Sequence, residues 1–337
     1  MDAVEALDEI AFLLEQDLAP RFRVQAFRRA SAAIGGLSTD ELGERIADGR
    51  LARTKGIGDR TLEVITQAVA GETPTYLTGL QESRGDAPKS SIAPLLRGDL
   101  HAHTEWSDGT VTIEAMADAA ASLGHEYQAI TDHSPHLTVA NGLSVERLGQ
   151  QLERIREWND AANGGLTLLA GIEVDILEDG ALDQTRELLT RLDVVVASVH
   201  SKLRADSATM TKRMLSAISD PATNVLGHCT GRLVQGSRGT RPPSDFDADR
   251  IFAACAREGV AVEINSRPER QDPPDELIAA ALNAGCLFSI DSDAHAPGHL
   301  GFVSLGAARA EAAGVPADRI VTTWPLPRLR DWLTSRR

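Results

Sequence analysis

At 337 residues, with 42% apolar side chains and a mean hydropathy of −0.18, the chain can bury one large core and a second, smaller one. No run approaches the roughly 20 apolar residues of a membrane span, and Met1-Asp2-Ala3-Val4-Glu5 lacks the basic start of a signal peptide, so a cytoplasmic protein without a membrane partner is expected. A net charge of −15 excludes broad electrostatic affinity for nucleic acid and leaves room only for a local basic site, while Cys229, Cys255 and Cys286 form no C-x-x-C thiolate motif.

Residues 1–80 read as helical throughout. Ala6, Leu7, Ile10, Leu13 and Leu14 recur at helical spacing, followed by Phe22, Val24, Phe27 and Ala30 with arginines between them. Ser38 or Thr39 caps the next helix. Then Lys55-Gly56-Ile57-Gly58-Asp59-Arg60 precedes a helical run. Two glycines around one isoleucine make a tight hairpin whose exposed amides suit a phosphate. This stretch resembles the helix-hairpin-helix motif of DNA repair proteins, with Lys55, Gly56, Gly58 and Arg60 as the implied DNA contacts. A plain helical hairpin, with glycines serving only close packing, is the competing reading.

Residues 81–94 turn polar, with Gly85, Pro88, Lys89, Ser90 and Ser91, and read as a linker. From residue 95 to 337, β-type runs alternate with amphipathic helices. The runs cover 95–103, 127–133, 166–176, 192–200, 224–228, 260–265 and 287–295, and the helices include 144–158, 207–218, 247–257 and 273–283. Asp272 is the expected N-cap of the last of these, with Pro273 at its first position and Gly285 past its end. A further helix, strand and helix are expected over 303–332. Seven strand–helix units predict an α/β protein whose parallel sheet is closed or nearly closed.

The ionisable residues cluster at strand ends. His101 and His103 share a face of the first run, and Asp108 lies in the turn beyond it. The second run ends in His133, the third carries Glu173, and the fourth and fifth end in His200 and His228. The seventh ends in Asp293-Ala294-His295. In an α/β barrel those ends converge on one face. Singly, each histidine could be a hydrogen-bonded core residue; together with three carboxylates they read as a metal cluster. Imidazole and carboxylate ligands without thiolates suit Zn²⁺, Mn²⁺ or Fe²⁺, and nine of them imply two or three divalent ions. Asp99, Asp132 and Asp291 are expected to orient the imidazoles.

These motifs resemble the polymerase and histidinol phosphatase (PHP) superfamily of phosphoesterases, over about residues 95–337. The finer resemblance is to the PHP domain of bacterial and archaeal family X DNA polymerases. It rests on Ser198-Val199-His200-Ser201-Lys202, Gly227-His228-Cys229-Thr230-Gly231-Arg232 and Glu263-Ile264-Asn265-Ser266-Arg267-Pro268-Glu269-Arg270. Residues 1–80 are similar to the helical domain that opens those polymerases. Their palm is missing here, so no nucleotide polymerisation is expected. The resemblance implies a distorted (βα)7 barrel preceded by a small all-α helix-hairpin-helix domain. It also implies a three-metal site. One ion would be held by His101, His103, Glu173 and Asp293. A second would be held by Glu173, His200 and His228, and a third by Asp108, His133 and His295. Metals so grouped activate water for in-line attack on phosphorus. Arg232 and Lys202 are candidates to steady the phosphate; Arg267 and Arg270 are weaker candidates, for which rim ion pairs are the favoured reading. The expected activity is hydrolysis of phosphate esters in nucleic acid, as a DNA 3′–5′ exonuclease or end-processing repair enzyme. The alternative is a small-molecule phosphomonoesterase of histidinol-phosphatase type.

Overall fold

The computed structural model describes residues 2–83, 89–162, 164–236 and 239–336. Gly85 and Pro88 of the expected linker lie outside them. The chain divides into two compact units, residues 1–86 and 87–337.

The first unit is built of α1 (Ala3–Gln16), α2 (Arg21–Ile34), α3 (Thr39–Ala47), α4 (Asp59–Val69) and α5 (Thr75–Ser83). Asp2 and Ser38 open α1 and α3 with capping boxes that satisfy amides at each start. Leu7, Ile10 and Leu14 of α1 pack on Phe27 and Ile34 of α2 and on Ile65 of α4. Phe22, expected in this core, is 70% exposed.

The second unit is a distorted (βα)7 barrel of parallel strands in the order β1 to β7. They are β1 (Gly98–Asp99), β2 (Tyr127–Ile130), β3 (Thr167–Asp175), β4 (Val194–Ser198), β5 (Val225–Leu226), β6 (Ala261–Asn265) and β7 (Leu287–Asp291). Between them run α6 (Ile113–Ser122), α7 (Val145–Ala161), α8 (Arg186–Leu189), α9 (Ser207–Ser219), α10 (Ala248–Glu258) and α11 (Asp275–Ala284). After β7 come α12 (Val303–Ala312) and α13 (Leu326–Thr334).

Strand alternation sorts the side chains. On β3, β4, β6 and β7, Ile172, Val174, Val195, Ala197, Val262, Ile264, Phe288 and Ile290 face the helical layer. Tyr127, Leu169, Val194, Val196, Val225 and Ala261 fill the lower interior, plugged by Trp324, Leu329 and Leu333. The upper interior is left to polar groups. No ladder joins β7 to β1. That seam is closed by the bridge Ala102–Ala294 and by two aspartates. Asp291 Oδ1 accepts from the Leu100 amide (2.8 Å), and Asp99 Oδ2 accepts from the Ser292 amide (3.1 Å).

Two expectations are corrected here. Over 303–332 there is no strand among the described residues; Ile320 makes one isolated bridge to Phe288 between short 3-10 turns. Asp272 does not cap α11, which starts after Pro274; its buried carboxylate instead accepts from Thr230 and from the Arg232 amide. At the end of the expected linker, Ile92 is 5% exposed in the barrel core and Ser91 bonds Glu311.

Gly98 shows how tightly β1 and β2 meet. A Cβ there would sit 2.1 Å from the Tyr127 carbonyl oxygen. Gly98→Ala is therefore expected to destabilise the barrel by about 3 kcal/mol, read as a lowered urea midpoint with the helical unit's transition unmoved.

Candidate metal centre

The polar residues of the upper barrel converge around one carboxylate. Glu173, inward-facing on β3 and 1% exposed, is ringed by five imidazoles. Its Oε1 faces His228 Nε2 at 2.8 Å and His200 Nε2 at 3.2 Å. Its Oε2 faces His133 Nδ1 at 2.8 Å, His101 Nε2 at 3.4 Å and His103 Nε2 at 3.6 Å. Each oxygen thus faces a different set of rings.

The remaining ligands complete the ring. Asp293 Oδ1 lies 3.4 Å from His103 Nε2, joining the two lips of the seam. Asp108 Oδ1 lies 3.5 Å from His133 Nε2 and 3.3 Å from His295 Nε2. Three groups of donor atoms are close enough to hold an ion: His103, Asp108, His133 and His295; His101, His103 and Glu173; and His133, Glu173 and His200. All nine predicted ligands are brought to this end of the barrel. Seven of them stand beyond the last ladder residue of their strand, because the strands are shorter than their apolar runs; Glu173 stands within β3 and Asp108 in the turn after β1.

Divalent ions fit this arrangement. His101 Nε2, both nitrogens of His103, His133 Nδ1, both nitrogens of His200 and His228 Nδ1 are buried without a hydrogen-bond partner. Buried polar atoms left in this state are costly unless something binds them. Burial, with His295 and His133 alongside, pushes His103 down to about 3, so its ring is neutral and its lone pair is free to ligate. Burial would raise Glu173, but His200, His133 and His101 outweigh it and hold the carboxyl well below its usual range.

The groups that orient the ligands differ from those expected. Asp99, Asp132 and Asp291 bond no imidazole. Asp99 and Asp291 hold the seam, and Asp132 accepts from the Thr104 amide (2.8 Å), the Ser107 amide (3.2 Å) and Gln151 (2.6 Å), fixing the turn that carries Asp108. Orientation falls to Glu263, on β6 and fully buried. Its Oε1 lies 2.6 Å from His101 Nδ1 and its Oε2 accepts from the His228 amide. Asp175 stands 3.4 Å from His200 Nδ1. Sequence reasoning passed over Glu263, although an acid flanked by Val262 and Ile264 in a strand has to face inward.

The cationic groups are also rearranged. Arg267 and Arg270, expected at the rim, are 8% and 9% exposed and line the cleft of about 350 Å³ over the cluster. Arg270 Nε bonds Asp293 Oδ2 at 3.0 Å, and Arg267 Nη1 bonds the Asp293 carbonyl at 3.1 Å. Arg232 instead donates to the carbonyls of Arg270 and Gln271. Lys202, exposed and 3.9 Å from Glu178, lies in a neighbouring cavity. Neither lines the cleft. A cavity of about 410 Å³ near the opposite strand ends, beside Arg97, Glu126 and Trp324, contains no ligand cluster among the described residues.

In the helical unit, Gly56 takes a φ of +100° and α4 begins after Gly58. The Gly58 amide is not free, since it donates to Thr61 Oγ1 at 2.9 Å. Arg60 pairs with Glu63 at 2.9 Å and lies over the Tyr76 ring. Lys55 is exposed, without an ion-pair partner among the described residues.

Much of the chain is similar to known proteins. Residues 99–267 match the PHP domain model. The chain is 38% identical over 200 residues to the Bacillus subtilis DNA polymerase/3′-5′ exonuclease PolX, a match covering 59% of this chain but 34% of that protein. A probable phosphatase of Enterobacter is 28% identical over 247 residues, covering 70% of this chain and 94% of the relative. Among solved structures, the histidinol phosphate phosphatase of Lactococcus lactis, complexed with zinc, L-histidinol and phosphate, matches with a TM-score of 0.44. It has 16% identity and covers 63% of this chain and 93% of the other.

A barrel with imidazoles and carboxylates gathered at the carboxyl ends of its strands defines a metal-centred hydrolase. The chain belongs to the PHP family. It is a hydrolase of phosphate esters with a centre for divalent ions. Among the described residues no helix is long and apolar enough to cross a membrane.

Proposed function

We propose that the chain is a cytoplasmic phosphodiesterase of DNA, removing nucleotides from 3′ ends or processing damaged ends in repair. The observation that carries this reading is the 38% identity to the Bacillus exonuclease-polymerase, against 28% to the Enterobacter phosphatase. The exposed Lys55 beside the glycine hairpin supports a DNA contact in the helical unit.

Under this reading His101, His103, Glu173 and Asp293 hold one ion, Glu173, His200 and His228 a second, and Asp108, His133 and His295 a third. Bound there, such ions lower the pKa of water and neutralise charge on phosphate oxygens. The protein's own groups supply geometry. Glu263 locks the His101 ring, so the ligand set keeps its shape as charge moves. Arg267 and Arg270 give the cleft a cationic wall for the phosphate oxygens. No serine or cysteine lines the cleft among the described residues, so the attacking oxygen is that of water.

A second reading, a small-molecule phosphomonoesterase, is favoured by the 94% coverage of the Enterobacter phosphatase and by the net charge of −15. Hydrolysis of a 5′-labelled DNA oligonucleotide and of histidinol phosphate by the Mn²⁺-loaded protein, side by side, decides between them. Laddering of the DNA is expected; phosphate release from the small ester alone would transfer the assignment to the second reading.

Lys55→Glu in the full chain is expected to weaken DNA binding about tenfold at low salt and to flatten its salt dependence. Unchanged anisotropy titrations would remove the hairpin from the interface.

A further inference from the structure

The cleft over the metal cluster is unevenly walled. Its lining includes Arg267 and Arg270 together with the apolar Leu137 and Val139. Val139 is 92% exposed, so its side chain is open to a ligand entering the cleft. Its turn is held firmly. Asn141 takes a φ of +57°, Arg147 Nη1 donates to the Asn141 carbonyl at 2.8 Å, and Arg147 Nη2 and Asn141 Nδ2 both donate to the Trp106 carbonyl. At Gly142 a Cβ would lie 1.8 Å from the Ser134 carbonyl oxygen. The turn therefore presents its valine rigidly.

Beyond His200 the chain separates two cavities. Val199, His200 and Leu203 face the metal cleft, whereas Lys202 and Arg204 face a second cavity of about 330 Å³. This loop is braced from beneath. Arg213, 3% exposed, donates to the carbonyls of Leu177 (2.8 Å) and Ser201 (2.7 Å), and Ser244 Oγ donates to the Leu203 carbonyl (2.8 Å). Lys202 sits at a φ of +52°. The donors of Arg213 are spent on backbone carbonyls and on Ser201 Oγ, so Lys202 and Arg204 give the second cavity its charge, with Glu178 the acid among its lining residues. In a chain of net charge −15 such a cavity selects anions.

We propose that these two features form one track for a single-stranded oligonucleotide. A base rests on Leu137 and Val139, the scissile phosphate lies over the Glu173 cluster, and the next phosphate crosses Leu203 into the Lys202–Arg204 cavity. The inference rests on the phosphodiesterase reading and narrows it: the substrate carries a second phosphate one linkage from the bond that breaks. A metabolite monoester would use neither feature.

The test compares the Mn²⁺-loaded full chain on a 5′-fluorescent dodecathymidylate and on the p-nitrophenyl ester of thymidine 5′-monophosphate, which has no neighbouring phosphate. Arg204→Glu is expected to lower kcat/KM for the oligonucleotide about tenfold more than for the ester, and to reduce the salt slope by about 0.7. Val139→Trp is expected to lower the oligonucleotide KM about fivefold through stacking, a gain that structural damage cannot produce. Arg204→Glu acting alike on both substrates, or an unmoved oligonucleotide KM in Val139→Trp, overturns the track while leaving the wild-type nuclease intact. Wild-type protein that hydrolyses histidinol phosphate but not the oligonucleotide overturns the track and the phosphodiesterase reading together.

Discussion

Replacing Glu173 by alanine is expected to lower turnover by about a thousandfold or more and to reduce the metal bound per chain. Among the described residues the side chain is the sole carboxylate lying within 4 Å of His101, His103, His133, His200 and His228 together, with its two oxygens divided between them. Its loss would leave those rings with no shared anion, and divalent ions held there would lose a carboxylate ligand. Metal-derived stabilisation of a phosphoryl transition state is worth several kcal/mol, and each 1.36 kcal/mol is tenfold in rate. Metal content by atomic emission, measured beside the turnover of the same preparation, checks both halves. Near-normal turnover in this variant would sink the assignment of the centre.

Glu263→Ala should have the next largest effect, although the side chain reaches the metals only through others. It is fully buried, and alanine leaves His101 Nδ1 and the His228 amide without their partner. Two buried groups are orphaned, and the His101 ring becomes free to turn. Metal affinity is expected to fall about 10- to 100-fold, as for other groups that orient a ligating histidine. Chelator competition on the purified variant gives the number. Glu263→Gln keeps an acceptor for the His228 amide, so it should recover part of the loss. A Glu263→Ala protein with wild-type affinity would mean that His101 is positioned by packing alone.

How much of this was legible in the sequence follows from where each residue sits. The strand-end histidines stood out because apolar runs such as Val194, Val195 and Val196 stop abruptly at an imidazole. The seven parallel strands followed from the same alternation. Glu263 escaped notice because no histidine ends its strand, leaving only its inward register to reveal it. Arg267 and Arg270 were misjudged for a related reason. They follow β6 in sequence, but the chain there folds back over Asp293, and their burial depends on that contact from another strand. Phe22 looked like core because it keeps helical spacing with Phe27, yet it occupies the first turn of α2, past the edge of the packed face. Local pattern reports which way a residue points along its own element. It does not report which other segment covers it.

The seam between β7 and β1 has a consequence for assembly. His101 and His103 stand on one lip, Asp293 and His295 on the other, and few backbone bonds span the gap. An open, seven-stranded sheet would keep most of its helices in place while holding the two halves of the ligand set on opposite free edges. Closing the cylinder and completing the centre are therefore a single event, and an ion that grips both lips acts as a clasp on the barrel itself.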